Sequence, residues 1–246
     1  MNAAATPVGY PSRLTARHEV ADRTLLLEFA RPFGFDFVAG QFMDLTLLAP
    51  GQTDPKGDTR AFSISSAPHE EALKVTTRLT NSAFKRNLAT MPIGSEVSIM
   101  GPSGDLTLED DPSRPVVILA GGIGITPFRS IVLDAAYRRL SHRIFLFYAN
   151  RRPEDAPFLE ELRALERVNS RYTFVPTMTQ AEQSDQGWAG ERVRIDRSLI
   201  SRHVDDPRRP TYYVAGPPSM VRGLTGMLSG SGVDSQSIRA EEFDGY

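Results

Sequence analysis

Cysteine is absent from this sequence of 246 residues. The chain can therefore form no disulfide, thiolate nucleophile, cysteine-ligated zinc site or cysteine-ligated iron–sulfur cluster. Long apolar runs are missing too: none approaches about 18 residues, so we predict that no segment inserts into a membrane. Histidine is scarce, and the spacing of His18, His69, His142 and His203 suits no metal centre, so we predict no metal site.

An excess of charge of one sign is also lacking. Lys and Arg number 28, and Asp and Glu number 30, which gives a formal net charge of -2. This balance does not support bulk binding to nucleic acid or to a membrane surface. Residues 1–8 contain no basic stretch followed by an apolar one, so we expect no secretory signal and a cytoplasmic protein.

The first hundred residues have a composition typical of β-structure. Gly and Pro separate stretches rich in Thr, Val, Leu and aromatics, and short, evenly spaced strands favour a barrel. We expect one helix here, Ser82–Met91, because Ser82 suits an N-cap and Phe84 and Leu88 lie at helical spacing. The expected β-stretches are Ser12–Phe29, Asp36–Leu48, Ala61–Ser66, Ala72–Leu79 and Glu96–Met100.

After Pro112, short apolar strands alternate with helices, a pattern typical of a parallel sheet with right-handed crossovers. The length corresponds to about 1.6 ordinary domains. Together with the charge and Pro at 109–114, this predicts two domains, residues 1–111 and 112–246. The expected strands are Val116–Ala120, Arg143–Tyr148, Tyr172–Met178, Tyr212–Ala215 and Ser237–Glu242, and the expected helices are Pro127–Leu140, Pro157–Val168, Asp196–Arg202 and Pro218–Leu228.

Three glycines follow the first of these strands in LAGGIGITP, residues 119–127. Glycines let the backbone approach a ligand closely, Thr126 suits a helix N-cap, and Pro127 suits the first helical position. The free amides and the positive end of the helix would then suit a pyrophosphate. Because the pattern is not GxGxxG, a tight turn without a ligand remains the alternative.

Three further signals are weaker when taken singly. Arg60, Phe62 and Ser63 offer a cation, a planar ring and a hydroxyl along one predicted strand, groups that could serve a phosphate, a flat heterocycle and a ring nitrogen. The sequence YVAGPP, residues 213–218, ends another strand in a turn on the same sheet rim as the glycines. The last six residues, EEFDGY, contain two aromatics.

Taken together, these motifs have the order and spacing of the ferredoxin–NADP reductase-like flavoprotein family, which the chain resembles from about Ser12 to Tyr246. The resemblance is carried by the Arg-x-aromatic-Ser tetrapeptide, a GPSG turn at Gly101–Gly104, GGIGITP, AGPP and a terminal Glu-x-Phe. It implies a two-domain β plus α/β protein. An antiparallel, six-stranded flavin-binding β-barrel would precede a Rossmann-like parallel-sheet domain for the nicotinamide nucleotide.

On the barrel, the resemblance implies that Arg60 pairs with a flavin phosphate, that Phe62 lies against the isoalloxazine ring, and that Ser63 hydrogen-bonds near the nitrogen that accepts hydride. Arg78 and residues 80–84 match the family's second phosphate-binding element, which binds through helix N-terminal amides. The implied cofactor-binding set on this side is Arg60, Ala61, Phe62, Ser63, Arg78, Thr80, Ser82, Ala83 and Phe84.

In the second domain, the resemblance implies that the glycine turn holds the nucleotide's pyrophosphate and that the AGPP turn lines the nicotinamide slot. Phe243 would cover the other flavin face, with Glu241 nearby. Many relatives have Cys where this chain has Ala215, which would lower hydride-transfer efficiency without abolishing it. The implied cofactor-binding set here is Gly121, Gly122, Gly124, Thr126, Gly216, Pro217, Phe243 and Tyr246, and the implied catalytic residues are Ser63, Glu241 and Phe243.

The residues after the second parallel strand bear on the choice between NADPH and NADH. Arg151 and Arg152 could clamp a 2′-phosphate, and residues 148–152 contain no Asp or Glu that would reject it. This favours NADPH over NADH. In the alternative, one of the arginines stacks on adenine or faces solvent.

The resemblance implies an FAD-dependent NAD(P)H oxidoreductase, with FMN as the alternative flavin. Because the chain has no cysteine for a cluster, the electrons would pass to a separate acceptor such as ferredoxin, flavodoxin or an oxygenase component. The alternative is a non-catalytic flavin- or nucleotide-binding subunit, for electron transfer or regulation, in a larger complex. A plain nucleotide-binding module is a third hypothesis.

Overall fold

A computed structural model describes residues 9–243 and divides them between two sheets. The first is an antiparallel six-stranded sheet with the order β4-β3-β6-β1-β2-β5. It closes through an isolated bridge between Ile64 and Val75 and through a hydrogen bond of 2.8 Å from Ser65 N to Lys74 O. Its elements are β1 Tyr10–Ala21, β2 Thr24–Phe29, β3 Phe42–Leu47, β4 Thr59–Ser63, β5 Leu73–Arg78, α1 Ala83–Thr90 and β6 Glu96–Ser103. The expected six-stranded barrel is thus confirmed.

The predicted stretch Ser12–Phe29 is a hairpin rather than one strand. Asp22 and Arg23 form the turn between β1 and β2, and Arg23 adopts a positive φ of 51°. The two strands pair antiparallel, with Ala21 opposite Thr24. A two-residue turn of charged residues carries no glycine signal, so composition alone could not separate the strands.

The second sheet is parallel and has the strand order β11-β10-β7-β8-β9. It is buried on both faces, which agrees with the continuous apolar runs of its strands. The strand order reverses between β7 and β10, and ligands bind at such reversals in open α/β sheets. Its elements are β7 Val116–Gly121, α2 Thr126–Tyr137, β8 Ile144–Asn150, α3 Leu159–Ala164, β9 Tyr172–Met178, α4 Arg197–Ser201, β10 Thr211–Gly216, α5 Pro218–Gly230 and β11 Ile238–Glu242.

Helix bounds follow the sequence pattern with two local differences. The predicted helix Pro157–Val168 contains the short α3, which continues as a 3-10 turn over Leu165–Arg167. A second 3-10 turn, Gly122–Ile125, stands between β7 and α2. The two-domain fold class is confirmed. The boundary proposed at 111/112 lies in the connection between β6 and β7 and stays a prediction.

None of the helices within residues 9–243 combines the length and the apolarity needed to cross a bilayer. The same residues contain no group of three or more His, Asp or Glu side chains arranged to hold a metal ion.

Candidate active site

A cavity of about 810 Å³ lies between the barrel and the carboxyl end of the parallel sheet. Its size falls within the range of small-molecule and cofactor sites. Strands β3, β4 and β5 and helix α1 supply one wall, and the 3-10 turn after β7 and the end of β11 supply the other. The lining residues predicted from sequence are Arg60, Ala61, Phe62, Ser63, Thr80, Ser82, Ala83, Phe84, Thr126, Glu241 and Phe243. The structure therefore brings the two predicted half-sites together at one junction.

Two aromatic rings form a flat apolar surface on the barrel wall. The centroids of Phe62 and Phe84 are 5.9 Å apart, and the rings are inclined by 32°. The guanidinium carbon of Arg60 lies 5.1 Å from the Phe84 centroid. Ser63, largely buried at the end of β4, lines the same wall. A planar apolar surface beside a cation and a hydroxyl suits a flat, charged heterocyclic ligand.

Helix α1 begins at the cationic end of this cavity. The Ser82 side chain accepts a hydrogen bond from Lys85 N at 3.2 Å, which confirms Ser82 as the N-cap. The first turn contains no acidic residue, although acidic residues are favoured at the positive end of a helix. It carries Lys85 and Arg86 instead, and both line the cavity. This end of the site is therefore suited to an anion.

Burial, together with the nearby positive charge of Arg78, lowers the pKa of Lys85 from 10.5 to about 8. Sequence reasoning missed both Lys85 and Arg86. The signal that could have found them is a pair of cations three and four residues after a Ser N-cap, where the helix end already favours negative charge. Other lining residues missed from sequence are Phe42, Thr53, Asp54, Pro55, Lys56, Thr76, Thr77, Ile123 and Glu242, whereas Asn81 lies within the predicted stretch 80–84.

Arg78 does not line the cavity, unlike the other predicted phosphate ligands of the barrel. Its Nη2 donates to the backbone oxygen of Asp155, in the second domain, at 2.6 Å. Its Nε is buried and has no hydrogen-bond partner among residues 9–243. The structure therefore gives Arg78 an interdomain contact, and its role toward a cofactor stays a prediction.

The glycines of the turn after β7 are required for different structural reasons. A Cβ on Gly124 would overlap the backbone carbonyl of Ala215 and lie 2.6 Å from Gly216 N. A Cβ on Gly121 would overlap the sulfur of Met220. By contrast, Gly122 has a φ of +53°, and no heavy atom of the described chain lies within 4 Å of its Cβ position. The first two glycines thus let two loops pack together, and Gly122 faces open space.

Thr126 is not an N-cap, contrary to the sequence prediction. It is the first residue of α2, and its hydroxyl donates to Ile123 O at 3.0 Å. The 3-10 turn before α2 displaces the cap position to Ile125, whose side chain offers no acceptor. Pro127 is therefore the second residue of α2 rather than the predicted first, although it still lies in the first turn.

The AGPP turn and the C-terminal segment meet beside the glycine turn. Ala215 pairs in register with Ala120 of β7 on one side and with Glu241 of β11 on the other. The backbone amide of Phe243 donates to Gly216 O at 3.0 Å. The predicted common rim is therefore present. Gly216 and Pro217 do not line the cavity itself, and Tyr246 lies outside the described residues.

Glu241 is half-buried at this rim. Burial, aided by the negative charge of Asp105, raises the pKa of Glu241 above its ordinary value. Phe243 lines the cavity and packs against the core of the second domain. Glu241 and Phe243 thus face Ser63 and Phe62 across the junction. A carboxyl with a raised pKa in such a position can hold a proton near the cavity.

Arg151 and Arg152 have different environments despite being neighbours in sequence. The Arg151 side chain is 64% exposed, and its Nε lies 4.0 Å from a carboxylate oxygen of Asp155. Arg152 forms ion pairs with Asp155 at 3.1 Å and, across the domain junction, with Asp22 at 3.3 Å. These bonds keep the pKa of Arg152 above its ordinary value. Arg151 is thus the arginine accessible to a ligand.

A buried arginine connects α2 of the second domain to the barrel. Arg129, in α2, donates to Ser65 O at 2.6 Å and to Glu70 at 2.8 Å, both in the barrel. Its Nη2 also pairs with Glu161 at 2.6 Å. The side chains of Arg129 and Glu70 are 5% and 18% exposed, so their ion pair is largely shielded from solvent, whereas Glu161 is 39% exposed. This network holds the two walls of the cavity in a defined relation.

Comparison with known proteins agrees with this architecture. Residues 118–225 match the family model described as Oxidoreductase NAD-binding domain. The chain is 27% identical over 247 residues to ferredoxin–NADP reductase B of Sorangium cellulosum, covering 96% of this chain and 98% of the relative. It is 26% identical over 224 residues to the reductase component of propane 2-monooxygenase of Rhodococcus jostii, covering 89% of this chain and 59% of the relative. The chain thus spans about three fifths of the length of that relative.

A solved structure has the same fold over nearly the whole chain. The ferredoxin NADP+ reductase of Neisseria gonorrhoeae, with bound FAD and NADP, superposes with a TM-score of 0.78 at 23% identity. The alignment covers 94% of this chain and 97% of that structure. The motifs, the domain match and the shared fold agree: residues 118–225 match an oxidoreductase NAD-binding domain, and the chain is similar over nearly its whole length to ferredoxin–NADP reductases.

Proposed function

We propose that this protein is a flavin-dependent NAD(P)H oxidoreductase that passes electrons to a separate acceptor. One observation carries the proposal. The junction cavity combines an aromatic and cationic wall from the barrel with the carboxyl rim of a parallel sheet. The first wall suits a flat ligand with a phosphate, and the second is where nucleotides bind in α/β sheets.

The residues present fit a flavin. Phe62 and Phe84 offer a flat surface, and Arg60, Lys85 and the start of α1 offer positive charge for its phosphate. FAD is the flavin we propose, with FMN as the alternative. When bound, the flavin supplies the chemistry of accepting a hydride and releasing electrons. The chain's own part is to position the reactants and exclude water.

Three side chains are proposed to act at the reacting end. The Ser63 hydroxyl would donate a hydrogen bond toward the ring nitrogen that accepts hydride. Glu241, with its raised pKa, would hold a proton at its carboxyl close to this position. Phe243 would cover the ring face that the nicotinamide has to reach. The glycine turn and the AGPP turn would bind the pyrophosphate and the nicotinamide.

The acceptor is proposed from the relatives. Two of them are described as a ferredoxin–NADP reductase and as the reductase component of a propane 2-monooxygenase. A third is a reductase component of terephthalate 1,2-dioxygenase, 24% identical over 222 residues. We therefore propose a separate protein acceptor, either ferredoxin or flavodoxin or an oxygenase component. The proposed division into a flavin domain, 1–111, and a nucleotide domain, 112–246, belongs to the same hypothesis.

The test is anaerobic stopped-flow mixing of the flavin-loaded protein with NADPH and, separately, with NADH. Loss of the flavin's visible absorbance with either nucleotide supports the proposal, and no bleaching with both contradicts it. The Ser63→Ala variant should keep its flavin and be bleached more slowly. Unchanged reduction kinetics in this variant would remove Ser63 from the mechanism.

The second hypothesis, a non-catalytic subunit, predicts a different result. Such a protein would be yellow but would not reduce an artificial acceptor at the expense of NAD(P)H. Extraction and identification of the bound flavin would decide between FAD and FMN in the same preparation. A colourless protein that takes up no flavin would favour a plain nucleotide-binding module.

A further inference from the structure

Residues 50–58, in the loop between β3 and β4, fold over the start of α1. The Asn87 side chain donates to Gln52 O at 2.7 Å. The Arg86 guanidinium donates to the Gln52 side-chain oxygen through Nε at 3.0 Å and through Nη2 at 2.9 Å. Residues 53–56 of this loop line the cavity. The loop thus lies over the cationic end that we assign to the flavin phosphate.

Asp54 is the acidic residue that this loop brings to the cationic end. Its Oδ1 accepts hydrogen bonds from Arg60 Nη2 at 2.7 Å and from Lys56 N at 2.9 Å. The backbone N–H of Phe84, in the first turn of α1, also donates to the carboxylate. Burial opposes ionisation here, but the hydrogen bonds and the Arg60 charge outweigh it and lower the pKa of Asp54. The carboxylate is therefore ionised at neutral pH.

Arg60 is held by the same loop. Its Nη1 donates to the carbonyls of Lys56 and Gly57, each at 2.8 Å. The Arg60 and Asp54 side chains are 21% and 20% exposed. Their ion pair is thus partly shielded from solvent, which gives it more weight than a fully exposed pair.

A guanidinium and a helix N-terminal amide are the two kinds of donor that a phosphate binds. Here both donors are used by one carboxylate of the chain itself. Two anions at this position would repel each other and would compete for the same N–H groups. We propose that Asp54 competes with the flavin phosphate for Arg60 and the start of α1, and so limits the affinity for phosphorylated flavins.

This inference rests on the proposed flavin-binding function. It implies that binding requires the Asp54 carboxylate to leave these donors, with the loop 50–58 changing its contacts. The competition concerns only the phosphate end of the ligand. A flavin without phosphate would leave Asp54 in place, so riboflavin separates this effect from general changes in the cavity.

The experiment titrates riboflavin, FMN and FAD into flavin-free protein and follows the quenching of flavin fluorescence. Asp54→Asn removes the charge but keeps an oxygen that can accept from Lys56 N. We expect it to bind FMN and FAD roughly tenfold more tightly, because a lost hydrogen bond between charged groups is of this order. Riboflavin affinity should not change.

Asp58→Asn is the matched control. It removes a carboxylate from the same loop, and Asp58 does not line the cavity. All three affinities should stay at the wild-type values. Thermal unfolding of each variant checks the fold. If Asp54→Asn does not fold, Asp54→Ser is used instead, because the serine hydroxyl can still accept a hydrogen bond within the turn.

Three results would overturn the inference: FMN and FAD affinities that are unchanged or weaker in Asp54→Asn, an equal gain for riboflavin, or the same gain in Asp58→Asn. Failure of the wild-type protein to bind any of the three flavins would instead contradict the proposed function itself. The two failures are therefore distinguishable in one set of titrations.

Discussion

The two walls of the junction cavity are built by different means. The barrel wall presents charged side chains, chiefly Arg60, Lys85 and Arg86, around the start of α1. The wall of the parallel sheet presents Ile123, Thr126, Glu241, Glu242 and Phe243, and its shape depends on the backbone of a glycine turn packed against the AGPP turn. Both designs suit a phosphate group, but they respond differently to change. Side-chain charge can be paired, titrated or competed for, whereas a backbone surface depends on close packing that tolerates no added atom.

Gly124→Ala tests the backbone wall and should have the largest effect. The new Cβ would overlap the Ala215 carbonyl, and neither backbone can move without disturbing the buried ends of β7 and β10. We expect the free energy of unfolding to fall by about 3 kcal/mol, the upper part of the usual range for overpacking. Urea denaturation followed by circular dichroism measures it.

Gly223→Ala is the control for that substitution. Gly223 lies within α5, and apart from the backbone of its own helix and its chain neighbours, no heavy atom of residues 9–243 lies within 4 Å of its Cβ position. Alanine should therefore stabilise the helix by about 0.5–1 kcal/mol. If Gly124→Ala were as stable as the wild type, the packing explanation for that glycine would be wrong.

Arg60→Ala tests the side-chain wall. It removes the guanidinium that we assign to the flavin phosphate, so FMN and FAD should bind roughly 10- to 100-fold more weakly, the usual cost of losing a charge-assisted contact. Stability should change much less than in Gly124→Ala. The conservative variant Arg60→Lys should bind FMN and FAD with an affinity between those of the wild type and Arg60→Ala, since lysine keeps the charge but not the planar guanidinium.

Fluorescence titration with riboflavin beside FMN and FAD provides the control for Arg60→Ala. Because Arg60 also lies over the Phe84 ring, some loss for riboflavin would report packing rather than phosphate binding. An equal loss for all three flavins would argue against Arg60 as a phosphate ligand. A loss confined to the phosphorylated flavins would support the contrast between the two walls.

A pH titration should test the barrel wall further, because Lys85 on this wall titrates near the physiological range. The pKa of Lys85, about 8, means that its cation is present below pH 8 and is lost as the pH rises. A bound phosphate would favour the cation. We therefore expect FAD affinity to fall about tenfold between pH 7 and pH 9.

The Lys85→Arg variant keeps its charge across this range, so its affinity for FAD should stay nearly constant. Riboflavin binding should show no such fall in either protein. A wild-type affinity that is flat from pH 7 to pH 9, or a variant that follows the wild type, would show that Lys85 does not contact the phosphate.

Sequence patterns predicted the parts of this site that depend on local order. The Ser82 cap, the helix behind it and the alternation of strands and helices are encoded in short stretches, and the structure agrees with them. The prediction for Thr126 was wrong because a 3-10 turn precedes α2, and nothing in GGIGITP distinguishes such a turn from a direct start of the helix.

Contacts between distant segments could not be predicted in this way. Arg152 meets Asp22, 130 residues earlier, only because the hairpin of β1 and β2 reaches the end of β8. Asp54 reaches the start of α1 only because its loop folds back onto the helix. In both cases the partner is chosen by the packing of two elements, which one sequence without an alignment does not reveal.

Arg151 lies outside the cavity lining but on the same sheet that supplies the second wall. It follows β8, at the carboxyl edge of the sheet, and its side chain is mostly exposed. If it contacts a 2′-phosphate, Arg151→Ala should raise the apparent Michaelis constant for NADPH a few-fold and leave that for NADH nearly unchanged. This effect should be smaller than those predicted for Gly124→Ala, Arg60→Ala and the titration of Lys85, because exposed ion pairs are worth roughly 0–1 kcal/mol.

Arg152→Ala is not an equivalent substitution, although it is the next residue. It would break the contact with Asp22 across the junction and should lower stability without a preference between the two nucleotides. Steady-state kinetics with NADPH and NADH, at two salt concentrations, separates the cases, because a phosphate contact at an exposed site weakens as salt screens it. Equal changes for both nucleotides in Arg151→Ala would mean that Arg151 does not recognise the 2′-phosphate.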